Sequence, residues 1–167
     1  MLKRIFLIGF MGSGKSTFGK KLAKELNTTF IDLDKVIEEK AKCSVGDIFK
    51  YLGEDTFRTM ESEALKSFEH LDGFVMATGG GTPCYFSNID YINDQGISIY
   101  IELDTKSIYN RLVNAKNVRP TMKGKNQEEL MKFIEDTFQH RKAIYERATF
   151  KVNGLNLDVK NIVELLA

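Results

Sequence analysis

The sequence predicts an α/β protein, a three-layer αβα sandwich around a five-stranded parallel sheet. Two observations carry that expectation. Short apolar runs alternate with stretches of helical period along all 167 residues, and strands separated by helices form parallel sheets covered on both faces. The residues with the most chemical character also fall just after those runs. Open α/β sheets hold their ligands there, at the carboxyl ends of the strands. The length fits one domain, residues 1–167, with a core large enough to need no covalent staples.

Ile5-Phe6-Leu7-Ile8 reads as the first strand. Gly9-Phe10-Met11-Gly12-Ser13-Gly14-Lys15-Ser16-Thr17 follows at once and matches G-x-x-x-x-G-K-[ST], the phosphate-binding loop, or P-loop. Ser16 to Leu26 reads as a helix, with Phe18, Leu22, Ala23 and Leu26 on one stripe. A strand before and a helix after are the context this motif needs. Its glycines let the backbone wrap with N–H groups inward, and the helix N-terminus adds positive potential. The chain is therefore expected to bind a nucleoside triphosphate through Gly12, Ser13, Gly14, Lys15, Ser16 and Thr17. Lys15 would reach the β- and γ-phosphates, and the Ser16 hydroxyl would ligate Mg²⁺.

Phe30-Ile31-Asp32-Leu33-Asp34 reads as the second strand. Residues two apart on a strand share a side, roughly 7 Å apart. One carboxylate of Asp32 and Asp34 can then serve Mg²⁺ while the other reaches a substrate hydroxyl, unless Asp34 only caps the next helix. Helical stretches follow near 35–41 and 45–52, and a longer one runs from Glu54 or Asp55 to about Leu71. Arg58 lies early in that helix, beside Phe57, Ala64, Leu65 and Phe68, with Glu61 three residues on to hold it. A fixed guanidinium fork suits a carboxylate ligand; a surface ion pair is the plainer alternative.

Phe74-Val75-Met76-Ala77 reads as the third strand and ends in Thr78-Gly79-Gly80-Gly81, where consecutive glycines let backbone approach a ligand closely. A helix around 86–94 leads to a fourth strand, Ile97 to Leu103, and Asp104 or Thr105 caps a helix reaching about Val113. The polar stretch 114–125, with Pro120 and Gly124, reads as a mobile lid. Its Arg119 either closes over a transferring phosphate or is a solvated loop charge. Asn126-x-x-Glu129 forms a capping box that opens a helix to about Glu146. On it Leu130, Ile134, Thr137, Arg141 and Tyr145 share one stripe. Arg141 therefore lies on or beside the buried face, where a charge needs a partner: a bound anion or an internal carboxylate. Phe150-Lys151-Val152 is the fifth strand, and Val159 to Leu166 a closing helix.

Composition narrows the function. Lys and Arg total 24 against 23 Asp and Glu, a net charge of +1, so no basic field exists to hold a long nucleic acid. Cys43 and Cys84 are the only cysteines and stand far apart, which favours reduced thiols over a disulfide scaffold. His70 and His140 read as surface helix residues. Lys3-Arg4 before Ile5 to Met11 has the outline of a signal peptide, but the apolar run is short, contains Gly9, and meets Lys15 without a cleavage site. No run approaches a transmembrane length. A cytoplasmic monomer acting on small molecules, with neither membrane nor nucleic acid as partner, is expected.

Taken together these segments resemble the shikimate kinase family. The resemblance rests on the phosphate loop from Gly9 to Ser16, Asp32-x-Asp34, Gly53-Glu54-x-x-Phe57-Arg58-x-x-Glu61, Thr78-Gly79-Gly80-Gly81, Arg119-Pro120 and Arg141-x-x-x-Tyr145, in family order over nearly the whole chain. It implies a nucleoside-monophosphate-kinase-like fold. It implies ATP-dependent phosphorylation of the 3-hydroxyl of shikimate, in aromatic amino acid biosynthesis through chorismate. The resemblance further implies that Lys15 contacts phosphate, that Ser16 and Asp32 serve Mg²⁺, and that Asp34 holds substrate hydroxyls. Arg58 and Arg141 would hold the carboxylate, Gly79, Gly80 and Gly81 would line the pocket, and Arg119 would be the lid arginine. Arg111 corresponds to the residue that stacks on adenine. Thr121 departs from the family, which carries apolar residues after the lid Arg-Pro. Two alternatives are another small-molecule kinase of this fold, such as a gluconate or nucleoside-monophosphate kinase, and a nucleotide-binding module without turnover. Asp32-x-Asp34 with Arg58 and the glycine triplet argues against the first, and the absence of N-K-x-D argues against a GTPase switch.

Overall fold

The computed structural model describes residues 3–115 and 122–167. Its strands are β1 (Arg4–Ile8), β2 (Thr29–Asp32), β3 (Phe74–Ala77), β4 (Ile97–Glu102) and β5 (Phe150–Asn153). They form one parallel sheet in the order β2-β3-β1-β4-β5. β1 is central, with Ile5 opposite Val75 on one side and Ile97 on the other. The helices are α1 (Lys15–Glu25), α2 (Leu33–Ala41), α3 (Val45–Lys66), α4 (Asn88–Gln95), α5 (Thr105–Val113), α6 (Gln127–Tyr145) and α7 (Val159–Leu166).

Alternation along β1 sorts the core into two halves. Ile5 and Leu7 pack with Phe18, Leu22 and Ala23 of α1 and Ile162 and Leu166 of α7. Phe6 and Ile8 point the other way, into a larger cluster with Ile37, Leu65, Ile92, Ile108 and Ile134 from α2 to α6. The segregation follows from right-handed crossovers. The β1-to-β2 connection runs one way across the sheet and the connections up to β5 run the other, so α1 lies on the opposite face from α2–α6.

Caps set several helix starts. Asp104 accepts from Ser107 N at 2.8 Å at the head of α5. The capping box of α6 is complete, with Asn126 and Glu129 each accepting from the other's backbone at 2.9 Å. Three boundaries depart from the sequence expectation. β2 stops at Asp32, whose side chain caps α2, and Leu33 already belongs to the helix because it and Ile37 are buried as one stripe. α3 is broken at Gly53 (φ 82°, ψ 167°), between the two expected helices, but it ends at Lys66 rather than Leu71. Ser67 N–H bonds back to Ala64 O there, and Phe68 and Leu71 pack on the core from a turn. α4 starts at Asn88, after Phe86 and Ser87 both take left-handed backbone.

Candidate active site

The loop between β1 and α1 turns on Gly12 (φ 76°) and Gly14 (φ 95°), conformations that favour glycine. Gly14 is the N-cap of α1, so Lys15, Ser16 and Thr17 form that helix's first turn, with their backbone N–H groups at its positive end. Lys15 is 7% exposed, and its Nζ donates to Gly9 O at 2.7 Å and Phe10 O at 2.8 Å. Those contacts hold the ammonium within the loop it serves. Ser13 is buried beside it.

Ser16 Oγ donates to Asp32 Oδ2 at 2.9 Å, joining the head of α1 to the end of β2. A hydroxyl and a carboxylate side by side, next to a phosphate loop, fit Mg²⁺. That ion takes one or two protein oxygens and completes its shell with water and phosphate. Asp34 does not share a strand face with Asp32, contrary to the sequence expectation. It lies in the first turn of α2. Helical rotation aims it at the glycine segment after β3, where a Cβ on Gly79 would stand 3.1 Å from Asp34 Oδ1.

A cleft of about 620 Å³ opens at this end of the sheet. It is lined by Asp34, Arg58, Gly79, Gly80, Gly81 and Arg141, together with Met11 of the phosphate loop. Arg58 is 6% exposed and is no surface ion pair. Its Nη1 donates to Glu61 at 2.9 Å, and Nε and Nη2 donate to Glu54 at 3.2 Å. Burial opposes the guanidinium charge, but Glu61, Tyr85 and Glu54 together outweigh it, so the pKa of Arg58 stays above its ordinary value. Burial also pushes the Glu61 carboxyl above the usual carboxylate range, against the opposing pull of Arg58 and of the Thr82 hydroxyl, which donates at 2.7 Å.

Arg141 comes from α6 and lies half-buried across the cleft. Its guanidinium carbon stands 5.7 Å from the Phe10 ring centre. Among the described residues no carboxylate forms an ion pair with it. Gly80 joins the two halves of the site: a Cβ there would meet Met11 N at 3.1 Å and Arg141 Nη1 at 3.2 Å. The Tyr145 hydroxyl donates to Gly80 O, tying α6 to the same point.

Arg111, in the last turn of α5, spans two segments. Its Nη1 donates to Gly12 O and its Nη2 to Gly154 O, each at 3.3 Å. It thus borders the phosphate loop and the turn after β5. Arg119 lies outside the described residues, as does 116–121 of the expected lid. Several lining residues carried no clear sequence signal: Phe49, Cys84, Tyr85 and His140. The Cys84 thiol is pushed up to about 11 by burial. His140 is exposed on a helix, as expected, but also faces the cleft; its place beside Arg141 was the available clue.

Comparison with known proteins gives the family. The shikimate kinase family model matches residues 11–166. A shikimate kinase from Bacteroides fragilis is 42% identical over 161 residues, covering 96% of this chain and 90% of that protein. One from Phocaeicola vulgatus is 40% identical over 163 residues, covering 98% and 93%. The crystal structure of shikimate kinase from Bacteroides thetaiotaomicron has a TM-score of 0.95 at 37% identity and covers 99% of each chain. A shikimate kinase from Acinetobacter baumannii in complex with shikimate has a TM-score of 0.86 at 29% identity, covering 99% of this chain and 93% of that one. With its phosphate loop, its paired-arginine cleft and relatives aligned over nearly their whole length, the chain belongs to the shikimate kinase family.

Proposed function

We propose that this protein transfers the γ-phosphoryl group of ATP to the 3-hydroxyl of shikimate, giving shikimate 3-phosphate, and that the cleft described above is the acceptor site. One observation carries the reading: Gly80 abuts both the phosphate loop and Arg141. A carboxylate-bearing acceptor held by the arginines would therefore lie one residue's width from a bound triphosphate.

Phosphoryl transfer needs positioning and charge neutralisation more than covalent chemistry. In this reading Gly12, Ser13, Gly14, Lys15, Ser16 and Thr17 hold the phosphates. Lys15 Nζ leaves its carbonyl contacts for the β- and γ-oxygens. Ser16 and Asp32 hold Mg²⁺, which when bound neutralises charge on the transferring group. Asp34 accepts a hydrogen bond from the attacking hydroxyl, aligns it and receives its proton late. Arg58 and Arg141 grip the carboxylate from opposite walls, with Gly79, Gly80 and Gly81 as the floor. Arg111 packs against adenine. Arg119 adds positive charge to the transferring group. No described helix is long and apolar enough to cross a membrane, and we place the protein in the cytoplasm as a monomer.

A coupled ADP-release assay with Mg²⁺ tests the assignment. Shikimate should be the preferred acceptor. Faster turnover of gluconate or a nucleoside monophosphate at equal concentration would sink it.

A further inference from the structure

Tyr85 has no part in the phosphate, metal or hydroxyl contacts above, yet it is built into the carboxylate end of the cleft. Its ring centre lies 4.2 Å from Arg58 Cζ, nearer than the rings of Phe57 at 5.2 Å and Phe49 at 5.9 Å. Its hydroxyl donates to Glu54 Oε1 at 3.2 Å. That oxygen also accepts from Arg58 Nε and Nη2. Phenol, carboxylate and guanidinium thus close a cycle of contacts. Glu61 holds Nη1, and the backbone of Gly81 lies so near that a Cβ there would stand 2.5 Å from Nη1. A guanidinium has five N–H donors. The glutamates take three of Arg58's, which leaves one on each terminal nitrogen.

The backbone is bent to put Tyr85 there. Phe86 (φ 49°) and Ser87 (φ 54°) are consecutive left-handed residues without glycine, a costly arrangement for L side chains. Phe86 is 61% exposed, so little packing by its own ring offsets that strain. The turn is held from its two ends. On one side Tyr85 covers the guanidinium. On the other, the fully buried Asn88 donates to Thr82 O and accepts from Ser62 Oγ, both at 2.9 Å.

We propose that Tyr85 is a positioning and specificity residue: its ring sets the plane of the Arg58 guanidinium, so that the two remaining donors meet the acceptor's carboxylate as a fork. This rests on the carboxylate role of Arg58 proposed above. Without the ring, Arg58 keeps its charge and both glutamates but can tilt. Charge attraction remains while fork geometry is lost, so the effect falls on acceptor binding and not on ATP.

The test uses Tyr85→Phe, Tyr85→Leu and Tyr85→Ala. Shikimate Kd is measured by calorimetry without nucleotide, beside KM and kcat and with the neutral carboxamide analogue of shikimate as control. Tyr85→Leu and Tyr85→Ala should weaken shikimate binding roughly 5–30-fold, the span a desolvated cation–π contact supplies. Tyr85→Phe should stay within about threefold of wild type, since only the bond to Glu54 is lost. KM for ATP should hold in all three, kcat should change by less than about twofold, and the carboxamide should bind wild type and Tyr85→Leu alike. If Tyr85→Leu binds shikimate as well as Tyr85→Phe, apolar bulk suffices and the proposal fails. Equal loss of carboxamide binding, or a shift in ATP KM, overturns it as well. Wild-type protein that does not bind shikimate would instead overturn the proposed function itself.

Discussion

Arg58 and Arg141 face one cleft but stand on different electrostatic ground. Arg58 neutralises Glu61, which is 1% exposed, whereas Arg141 has no described carboxylate partner. Both Arg58→Ala and Arg141→Ala should raise the shikimate KM roughly 10–100-fold, the span of one lost charge-assisted contact. Arg58→Ala should also cost about 3–5 kcal/mol of stability, because a buried carboxylate loses its counter-charge. Arg141→Ala should cost little, and urea denaturation of the two proteins checks the contrast. Glu61 sets a pH dependence. Its folded pKa is raised by burial, with the Asp34 charge adding to the effect. A raised acid contributes stability below its unfolded pKa and loses it as pH rises through the folded pKa. Glu61→Gln does not titrate, so the stability of wild type relative to Glu61→Gln should fall as pH rises above about 4, the ordinary carboxylate value. A difference flat with pH would contradict this. Lys15→Ala and Asp34→Ala should each lower kcat at least about 100-fold with the fold retained by circular dichroism. The sequence pointed to Arg58 and Glu61 through their helical spacing and carried Glu54 in the same motif, one helical turn before Arg58, but Tyr85 was not legible, because the turn at Phe86 brings it to the guanidinium.

Within α3, the break at Gly53 decides where Glu54 and Arg58 point. Its backbone (φ 82°, ψ 167°) lies in a region open essentially to glycine, while a Cβ there would meet nothing within 4 Å. Gly53→Ala should therefore cost about 1–3 kcal/mol from backbone strain alone and raise the shikimate KM by shifting the two residues that follow. Thermal denaturation and steady-state kinetics check both effects; an unchanged melting temperature would exclude the strain. The segment after β3 makes the opposite case. Gly81 keeps ordinary backbone but has no room, since its Cβ would press on Arg58 Nη1. The helix break at Gly53 agrees with the sequence, in which one helical stretch ends near 52 and the next begins at Glu54 or Asp55. It misplaced the end of β2, because Asp32 reads equally as the last strand residue or as a helix cap until Leu33 and Ile37 are seen to be buried together.

At the scale of the molecule, the order β2-β3-β1-β4-β5 brings the ends of β1, β2 and β3 to one edge of the cleft. Ser16 and Asp32, hydrogen-bonded to each other, are not among the residues that line the cleft with Arg58 and Arg141. Chelating Mg²⁺ should abolish turnover yet leave the calorimetric shikimate affinity unchanged in the absence of nucleotide. A matching loss of shikimate binding would mean that the metal and acceptor sites are not separable. Shikimate at about 100 times its Kd should stabilise the fold by about 2.7 kcal/mol, and gluconate at the same concentration should not.

Local pattern determined what lies near in sequence: the alternation of strands and helices, the phosphate loop between β1 and α1, the capping box of α6, and the glycines after β3. Each is written in residues a few positions apart, where period, φ preference and donor spacing act directly. Tertiary structure alone decided which distant pieces meet. Tyr145 reaches Gly80 across 65 positions, and Arg111 reaches Gly154 across 43. Asp34 arrives by the rotation of a helix turn rather than by strand alternation. Such meetings depend on strand order, crossover hand and the packing of both faces, and those are settled by burying the whole apolar surface at once rather than by any single stretch of sequence.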